Sequence, residues 1–202
     1  MSNGIMIVKR DGSREHINID KIHKVVMHAC EGLAGVSASQ IEMNANIQFY
    51  DGMSTGEIQE VLVRSANDLI SLDAPNYQYA AARLLSYGTN KQVFGEYNAI
   101  TFQQNIDRNI ERGVYDSAIL DSYTREEIER LDSYIHHKRD ENFTYAGLRQ
   151  VVDKYLCQDR SSGEIFETPQ MMYMMIAATL FANYPKETRM HYVRRYYDAT
   201  SL

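Results

Sequence analysis

The sequence has 202 residues and a formal net charge of −6, and 44% of its residues are hydrophobic. This hydrophobic fraction supports a buried core and argues against a disordered chain. The acidic balance argues against a protein that binds nucleic acid broadly, because such a protein presents a basic face.

Cysteines and apolar runs narrow the class further. Cys30 and Cys157 form no CxxC motif and no ligand set, so we predict a reduced, cytoplasmic protein without a zinc site. The longest apolar run, 171–182, is well short of the ~20 residues that span a bilayer, and we interpret it as a buried helix. No membrane partner is expected.

The first predicted element is a β-hairpin in the stretch VKRDGSREHINIDKI, residues 8–22. Asp11-Gly12 is a signal for a two-residue type I′ turn, and strands are predicted over 5–10 and 13–19. Positive charge is concentrated here in a chain that is acidic overall, which suggests that the hairpin borders an anion site.

A two-residue loop would fix the register of this hairpin. Val8 would then lie opposite Glu15 and Met6 opposite Ile17. Met6, Val8 and Ile17 would form the side that packs on the core. Lys9 would lie on the other side of the sheet.

Four helices are predicted next, beginning near Asp20, Ser37, Ser54 and Pro75. Their apolar residues recur with helical spacing, and Ser37 and Ser54 begin capping-box patterns. Pro75 is a favoured first-turn residue, and the short connections favour antiparallel neighbours. Residues 1–95 are therefore predicted to form a small β-hairpin over a four-helix bundle.

A domain boundary is predicted near residues 95–100, and the second domain, 96–202, is mainly helical. One interruption, 155–167, is typical of a hairpin around Gly163. The predicted fold class is therefore mainly α. The helices predicted in this domain cover residues 101–112, 124–137, 143–154, 168–183 and 186–199.

The charged hairpin is a candidate anion site. A nucleoside triphosphate requires positive charge for its phosphates and an apolar slot for its base, and a helix N-terminus stabilises the phosphates further. Lys9, Arg10 and Lys21 can supply the charge, and Ile17 and Ile22 can wall the base. The turn is expected to place Lys9 and Arg10 beside the N-terminus of the first helix.

Thr55, at the start of the third helix, can offer its hydroxyl to phosphate or to metal-bound water. The alternative is that the charged hairpin and the capped helix are solvated surface. The sequence has neither a GxxxxGK[ST] motif nor a GxGxxG motif, so spacing alone does not identify a nucleotide site.

Two features of the second domain also invite a functional interpretation. His136 and His137 are adjacent and do not share a helix face, so no metal is predicted there. The Tyr- and Arg-rich stretch 189–197 has the composition of a nucleic-acid stacking surface. We prefer a helix that docks on another domain or subunit, and we expect no nucleic-acid partner.

VKRDGSREHINIDKI resembles the opening of an ATP-cone, the regulatory nucleotide-binding domain of ribonucleotide reductases. Six further stretches, in the same order, resemble the N-terminal part of the large subunit of class I ribonucleotide reductases, in the bacterial and T-even-like phage branch. They are FYDGMSTGEIQEVLVRSANDLIS, DAPNYQYAAARLL, GVYDSAIL, FTYAGLRQVVDKYL, GEIFETPQ and NYPKETRMHYVRRYYDATS.

The resemblance implies an ATP-cone in residues 1–95, with a four-helix bundle capped by a small β-sheet or hairpin. It implies a helical region with one β-hairpin in 96–202, preceding the catalytic barrel. Thiyl-radical reduction of ribonucleotides would take place on that barrel, so no catalytic residue is assigned. The implied partners are the remainder of the large subunit, the small radical-generating β subunit and further copies of the large subunit.

The implied role is allosteric control of deoxyribonucleotide synthesis. ATP or dATP with Mg²⁺ would bind the cone and control how the subunits assemble. The positions that match the family's nucleotide site are Lys9, Arg10, Glu15, Ile17, Asn18, Lys21, Ile22, Thr55, Gln59 and Lys91.

Two positions depart from the family pattern. Many relatives that dATP inhibits carry histidine at the positions of Gln59 and Gly88. Glutamine can form hydrogen bonds but cannot carry a proton, and glycine offers no side chain. We therefore expect nucleotide binding with weak or absent inhibition by dATP. The alternatives are a non-enzymatic nucleotide-responsive regulator and an oligomerisation module with a degenerate cone.

Overall fold

The computed structural model describes residues 4–95 and 98–202. The domain boundary predicted between residues 95 and 96 adjoins residues 96–97, which lie outside the described residues, and it stays a prediction. The chain forms two compact units. The first comprises Met1–Gly88 with Phe143–Arg149, and the second comprises Thr89–Asn142 with Gln150–Leu202.

A three-stranded sheet opens the first unit. Its strands are β1 (Met6–Val8), β2 (Arg14–His16) and β3 (Met53–Ser54), in the order β2-β1-β3. β1 pairs antiparallel with β2, as the hairpin prediction requires, and parallel with β3. The sequence does not predict β3, because a two-residue strand has no alternation to detect and its partner is distant in the chain.

The predicted register of the hairpin is wrong by one residue. Ile7 lies opposite Glu15, and the Lys9 N–H donates to the Ser13 carbonyl at 2.8 Å. The connection is therefore a three-residue loop rather than a two-residue turn. It ends at Gly12, whose φ of 81° is the left-handed conformation that such a loop requires.

This one-residue shift exchanges the two faces of the hairpin. Ile7 is 6% exposed and faces the core, whereas the predicted core residues Met6 and Val8 lie on the other face and are only partly buried. Lys9 therefore lies on the core side of the sheet, on the same face as Glu15.

The four helices predicted for the first domain are present, which confirms the mainly α fold with a small sheet. The side chains of Asn18, Ser37 and Ser54 cap the first three by accepting hydrogen bonds from first-turn N–H groups. The helices are α1 (Ile19–Cys30), α2 (Ala38–Asn46), α3 (Thr55–Asn67) and α4 (Tyr77–Phe94).

The second half of the chain is helical, with three departures from the prediction. The helix predicted over 124–137 ends at Asp132, and a 3₁₀ helix follows over His137–Asn142. The predicted hairpin at 155–167 has a single antiparallel bridge, Gln158 with Ile165. A short helix, α6, is new. The α-helices are α5 (Phe102–Glu111), α6 (Ala118–Ser122), α7 (Arg125–Asp132), α8 (Tyr145–Lys154), α9 (Pro169–Leu180) and α10 (Lys186–Thr200).

Hydrogen bonds between distant residues replace the end of the predicted helix after α7. The His136 N–H donates to the Tyr197 hydroxyl at 2.8 Å, and this hydroxyl donates to Gln170 Oε1 at 2.5 Å. Tyr197 is fully buried, and Arg189 is 2% exposed and pairs with Glu127 at 2.5 Å. The Tyr- and Arg-rich stretch thus contributes side chains to the core of the second unit.

Within 4–95 and 98–202, no group of three His, Cys, Asp or Glu side chains is arranged to hold a metal ion. In this part of the chain, no helix combines the length and the apolar character needed to cross a membrane. For His137, one of the two adjacent histidines at which no metal was predicted, burial lowers the pKa of the imidazole.

A buried carboxyl makes the second unit sensitive to pH. Asp140 is 3% exposed and accepts a hydrogen bond from Gln170 Nε2 at 2.8 Å. Burial raises the pKa of Asp140 from 3.8 to about 7. The folded state therefore holds this proton more tightly than the unfolded state, so the contribution of Asp140 to stability is greatest below about pH 4 and falls as the pH rises through 7.

We expect Asp140→Asn to raise the melting temperature at about pH 8, because the amide removes the cost of ionising a buried group. The difference should nearly vanish at about pH 4, as thermal melts across this range can measure. Asp121→Asn, at an exposed aspartate of α6, is the control and should change neither value. Equal melting temperatures for Asp140→Asn and the unmodified chain at high pH would contradict this account.

Candidate functional site

Lys9 and Thr55 leave the sheet at the same edge. β1 and β3 are parallel neighbours with Val8 beside Ser54, so the residues that follow the two strands lie on one side of the sheet. Lys9 and Arg10 follow β1, and Thr55 begins α3. Two cations, a hydroxyl and a helix N-terminus therefore meet here, at what we call the β1–β3 edge.

The start of α1 lies at the opposite end of the sheet. β2 is antiparallel to β1, so Ile17 and Asn18 follow it where β1 begins, and the Ile17 N–H donates to the Ile5 carbonyl at 2.9 Å. The intervening strand spans roughly 13 Å. The prediction that Lys9 and Arg10 lie beside the N-terminus of the first helix is therefore wrong, because the helix at their edge is α3.

An ion pair links the two strands of the hairpin on the core-side face. Lys9 Nζ lies 3.0 Å from Glu15 Oε2, and the two side chains are 41% and 36% exposed. The hydrogen bond and the charge of Glu15 raise the pKa of Lys9. An ion pair this exposed contributes little stability, so Lys9 can exchange Glu15 for another anion at small cost.

Apolar and polar groups alternate at the α1 end of the same face. Ile17 and Ile22 are partly buried, while Asn18 and Lys21 are exposed. Asn18 Oδ1 accepts the Lys21 N–H at 2.9 Å, which leaves the side-chain amide of Asn18 as a donor. This end of the sheet therefore offers apolar walls with one hydrogen-bond donor.

The N-terminus of α3 carries an acidic group that sequence reasoning did not assign to the site. Glu57 accepts the Ser54 N–H at 2.8 Å in a capping box, and the Tyr50 hydroxyl donates to Glu57 Oε1 at 2.8 Å. These hydrogen bonds, the Ser54 N–H foremost, lower the pKa of Glu57. The capping pattern is visible in the sequence, but the contact with Tyr50 is not, because it depends on the loop before β3.

Gln59 fills the space beside Gly88 between α3 and α4. Its Nε2 donates to the Leu84 carbonyl at 2.6 Å. A Cβ added at Gly88 would lie 2.8 Å from Gln59 Cγ, closer than real Cβ contacts allow. The two positions that depart from the family pattern are thus packed against each other, and the size of one limits the size of the other.

We expect Gly88→Ala to destabilise the first unit by up to about 2 kcal/mol, because overpacking costs ~1–3 kcal/mol and the gain in helix propensity is only ~1 kcal/mol. In a Gln59→Ala background the same change should be neutral or stabilising, since the obstructing side chain is gone. Urea unfolding of both single variants and the double variant measures the coupling. Additive effects would show that the two positions do not interact.

The residues of the first unit fit an anionic nucleotide. The β1–β3 edge supplies cations and a hydroxyl for phosphates, and the α1 end supplies apolar side chains and a donor for a base. Nine of the ten predicted site residues lie in the first unit, on or beside the hairpin, in the first turn of α1 or on α3, whereas Lys91 lies in the last turn of α4 and belongs to the second unit.

Comparison with known proteins identifies two domain families along the chain. Residues 5–91 match the ATP cone domain, and residues 141–202 match the all-alpha domain of ribonucleotide reductase.

Whole-chain relatives agree with this assignment. The chain is 47% identical over 201 residues to ribonucleoside-diphosphate reductase 1 subunit alpha of Escherichia coli K12, covering 100% of this chain and 26% of that protein. It is 39% identical over 199 residues to the alpha subunit of enterobacteria phage T4, covering 98% of this chain and 26% of that protein. The chain thus spans about a quarter of the length of these relatives. With its ATP cone and all-alpha domains, it belongs to the ribonucleotide reductase family and corresponds to the N-terminal region of the large (alpha) subunit.

Proposed function

We propose that the first unit binds ATP or dATP, as the Mg²⁺ complex, and regulates a ribonucleotide reductase. The observation that carries the proposal is the β1–β3 edge, where Lys9, Arg10 and Thr55 meet the N-terminus of α3. A helix N-terminus and nearby cations favour phosphate groups. Mg²⁺ is usually held by phosphate oxygens together with few protein groups, so the nucleotide would bring its own metal.

In this proposal the nucleotide lies along the core-side face of the hairpin. The triphosphate occupies the β1–β3 edge, whereas Lys21 lies at the α1 end of the sheet, beside the base. The base lies between Ile17 and Ile22, and Asn18 donates to it. Glu15 releases Lys9 to the phosphates and accepts a hydrogen bond from the base or the sugar.

The regulatory effect would arise from subunit assembly. Nucleotide binding would change the free-energy difference between assembly states, typically by ~1–3 kcal/mol per site. The proposed partners are the catalytic remainder of the large subunit, further copies of it and the small radical-generating subunit. The reduction of ribonucleotides is likewise proposed for the assembled enzyme, in the cytoplasm.

We further propose that dATP is a weak inhibitor or none at all. Gln59 is tied to the Leu84 carbonyl and packed over Gly88, so neither position offers an ionisable side chain to the nucleotide. Such a site offers few contacts that would favour dATP, which lacks the ribose 2′-hydroxyl, over ATP.

Isothermal titration of the 202-residue chain with ATP and with dATP tests this proposal. We expect saturable binding of both nucleotides, with affinities within about tenfold, a difference of ~1.4 kcal/mol. Absence of heat with either nucleotide would favour the degenerate-cone alternative. Strong dATP inhibition of the assembled enzyme would contradict the proposed weak response.

A further inference from the structure

The second unit contains a cavity that has no part in the proposed nucleotide site. Its volume is about 540 Å³. Pockets for small ligands are mostly apolar and measure ~300–1,000 Å³. The side chains that make its wall apolar are those of Val114, Ile119, Met172, Met175 and Ile176.

A buried carboxylate lies in the wall of this cavity. Glu167 is 2% exposed, and it accepts hydrogen bonds from the Tyr115 hydroxyl and from the Cys157 N–H, the latter at 2.9 Å. Both donors are neutral, whereas buried carboxylates are commonly paired with a cation. Burial raises the pKa of Glu167, as expected for a carboxyl that lacks a counter-charge.

The charged side chains in the wall of this cavity are all acidic. Of the residues that the structure places around the cavity, Asp116 and Glu167 are acidic and none is lysine, arginine or histidine. Such a cavity repels phosphates and carboxylates and attracts cations. Its preference is therefore opposite to that of the β1–β3 edge in the first unit.

We propose that this cavity binds a small monocationic amine with an apolar body. The ammonium group is directed to the acidic residues of the wall, Asp116 and Glu167, and supplies the counter-charge that Glu167 lacks. The apolar body packs against Met172, Met175 and Ile176, and the methionines adapt their shape to it.

Three probes with one carbon skeleton and different charge test the proposal: 2-phenylethylamine, 2-phenylethanol and phenylacetate. Binding to the 202-residue chain is followed by NMR of ¹³C-labelled methionine methyl groups, with Met172 and Met175 assigned by substitution to leucine. We expect saturable shifts of these two methyls with the amine, binding about tenfold weaker for the alcohol, and none for phenylacetate, because a charge-assisted contact is roughly twice as strong as a neutral one.

Variants locate the binding and its charge preference. Ala118→Trp, at an exposed position where α6 borders the cavity, should abolish binding of the amine and the alcohol. Glu167→Gln should narrow the tenfold difference between the two probes to about the share that Asp116 provides. Because this buried change can impair folding, Asp116→Asn at the exposed rim provides a second test and should narrow the difference severalfold. Glu164→Gln, outside the cavity, is the control and should change neither affinity.

Three results would overturn the proposal. Equal binding of amine and alcohol to the unmodified chain would make the cavity a general apolar pocket for an uncharged group. Absence of methyl shifts at millimolar amine would show that it is not a binding site. Amine binding that survives Ala118→Trp would place the ligand elsewhere.

Discussion

Replacing Lys9 and Arg10 together by alanine is expected to weaken ATP binding at least about hundredfold, because each charge-assisted contact with phosphate is worth ~1.5–3 kcal/mol. Both residues follow β1 at the edge where α3 begins. Removing Lys9 also removes its ion pair with Glu15, but that pair is exposed and its loss should cost little stability. Isothermal titration of the double variant measures the affinity, and thermal melts check its folding.

Arg14→Ala is the matched control for this experiment. Arg14 lies in the same hairpin and is exposed, but it pairs with Val8 on the face opposite Lys9. Arg14→Ala removes one positive charge from the hairpin without removing a proposed phosphate contact. It therefore distinguishes the loss of a phosphate contact from a general loss of positive charge. We expect its effect to be severalfold smaller. A nucleotide affinity that is unchanged in the double variant would mean that the β1–β3 edge does not bind the triphosphate.

Of the substitutions considered for their effect on stability, Glu127→Ala is expected to produce the largest loss, about 3–4 kcal/mol in the second unit. Glu127 accepts the Thr124 N–H in the capping box of α7 at 2.9 Å and pairs with Arg189 at 2.5 Å. Its removal leaves the Arg189 guanidinium buried over the Tyr123 ring without its carboxylate. Urea unfolding measures the difference in free energy.

Glu129→Ala in the same helix is the control for Glu127→Ala. Glu129 pairs with Arg125 at 3.2 Å, but both side chains are well exposed, so its loss should cost less than ~0.5 kcal/mol. Similar losses for the two variants would contradict the role assigned to the Glu127–Arg189 pair.

The carboxylate of Glu127 should also make the stability of the second unit fall in acid. Burial alone would raise the pKa of Glu127, but the hydrogen bonds from Arg189 and the Thr124 N–H outweigh burial and lower it below 4.5. Its contribution is therefore present above the unfolded-state pKa and is lost as the pH falls through the lower folded-state pKa. Glu127→Ala should show a correspondingly flatter stability curve below about pH 5.

The helical elements could be predicted from sequence because their signals are local. Asn18, Ser37 and Ser54 cap helices with N–H groups three residues away, and the apolar spacing that follows needs no knowledge of the partner. The sheet could not be predicted in full, because β3 pairs with a strand more than forty residues earlier. The register depended on one residue of loop length, which Asp11-Gly12 left open between two turn types.

In the candidate site, too, local features could be predicted from the sequence and contacts between distant residues could not. Lys9, Glu15 and Ile17 are predictable as a group because they lie within one hairpin, although the structure puts Lys9 on the opposite face from the one predicted. The position of Thr55 beside Lys9 depends on the pairing of β3 with β1, which the hydrophobic periodicity of the sequence cannot predict. The contact between Gln59 and Gly88 joins two helices, so the sequence shows two separate departures from the family pattern, and only the structure shows that the two residues constrain each other.

In the proposed complex, the triphosphate lies at the N-terminus of α3 and not at the start of α1. Replacing Mg²⁺ by Mn²⁺ on bound ATP tests this placement directly, because Mn²⁺ occupies similar oxygen sites and its unpaired electrons broaden nearby amide signals. We expect selective broadening of the Lys9, Gly12, Thr55 and Gly56 amides in ¹⁵N spectra. Broadening centred on residues 18–21, with the Thr55 and Gly56 signals unaffected, would contradict this placement.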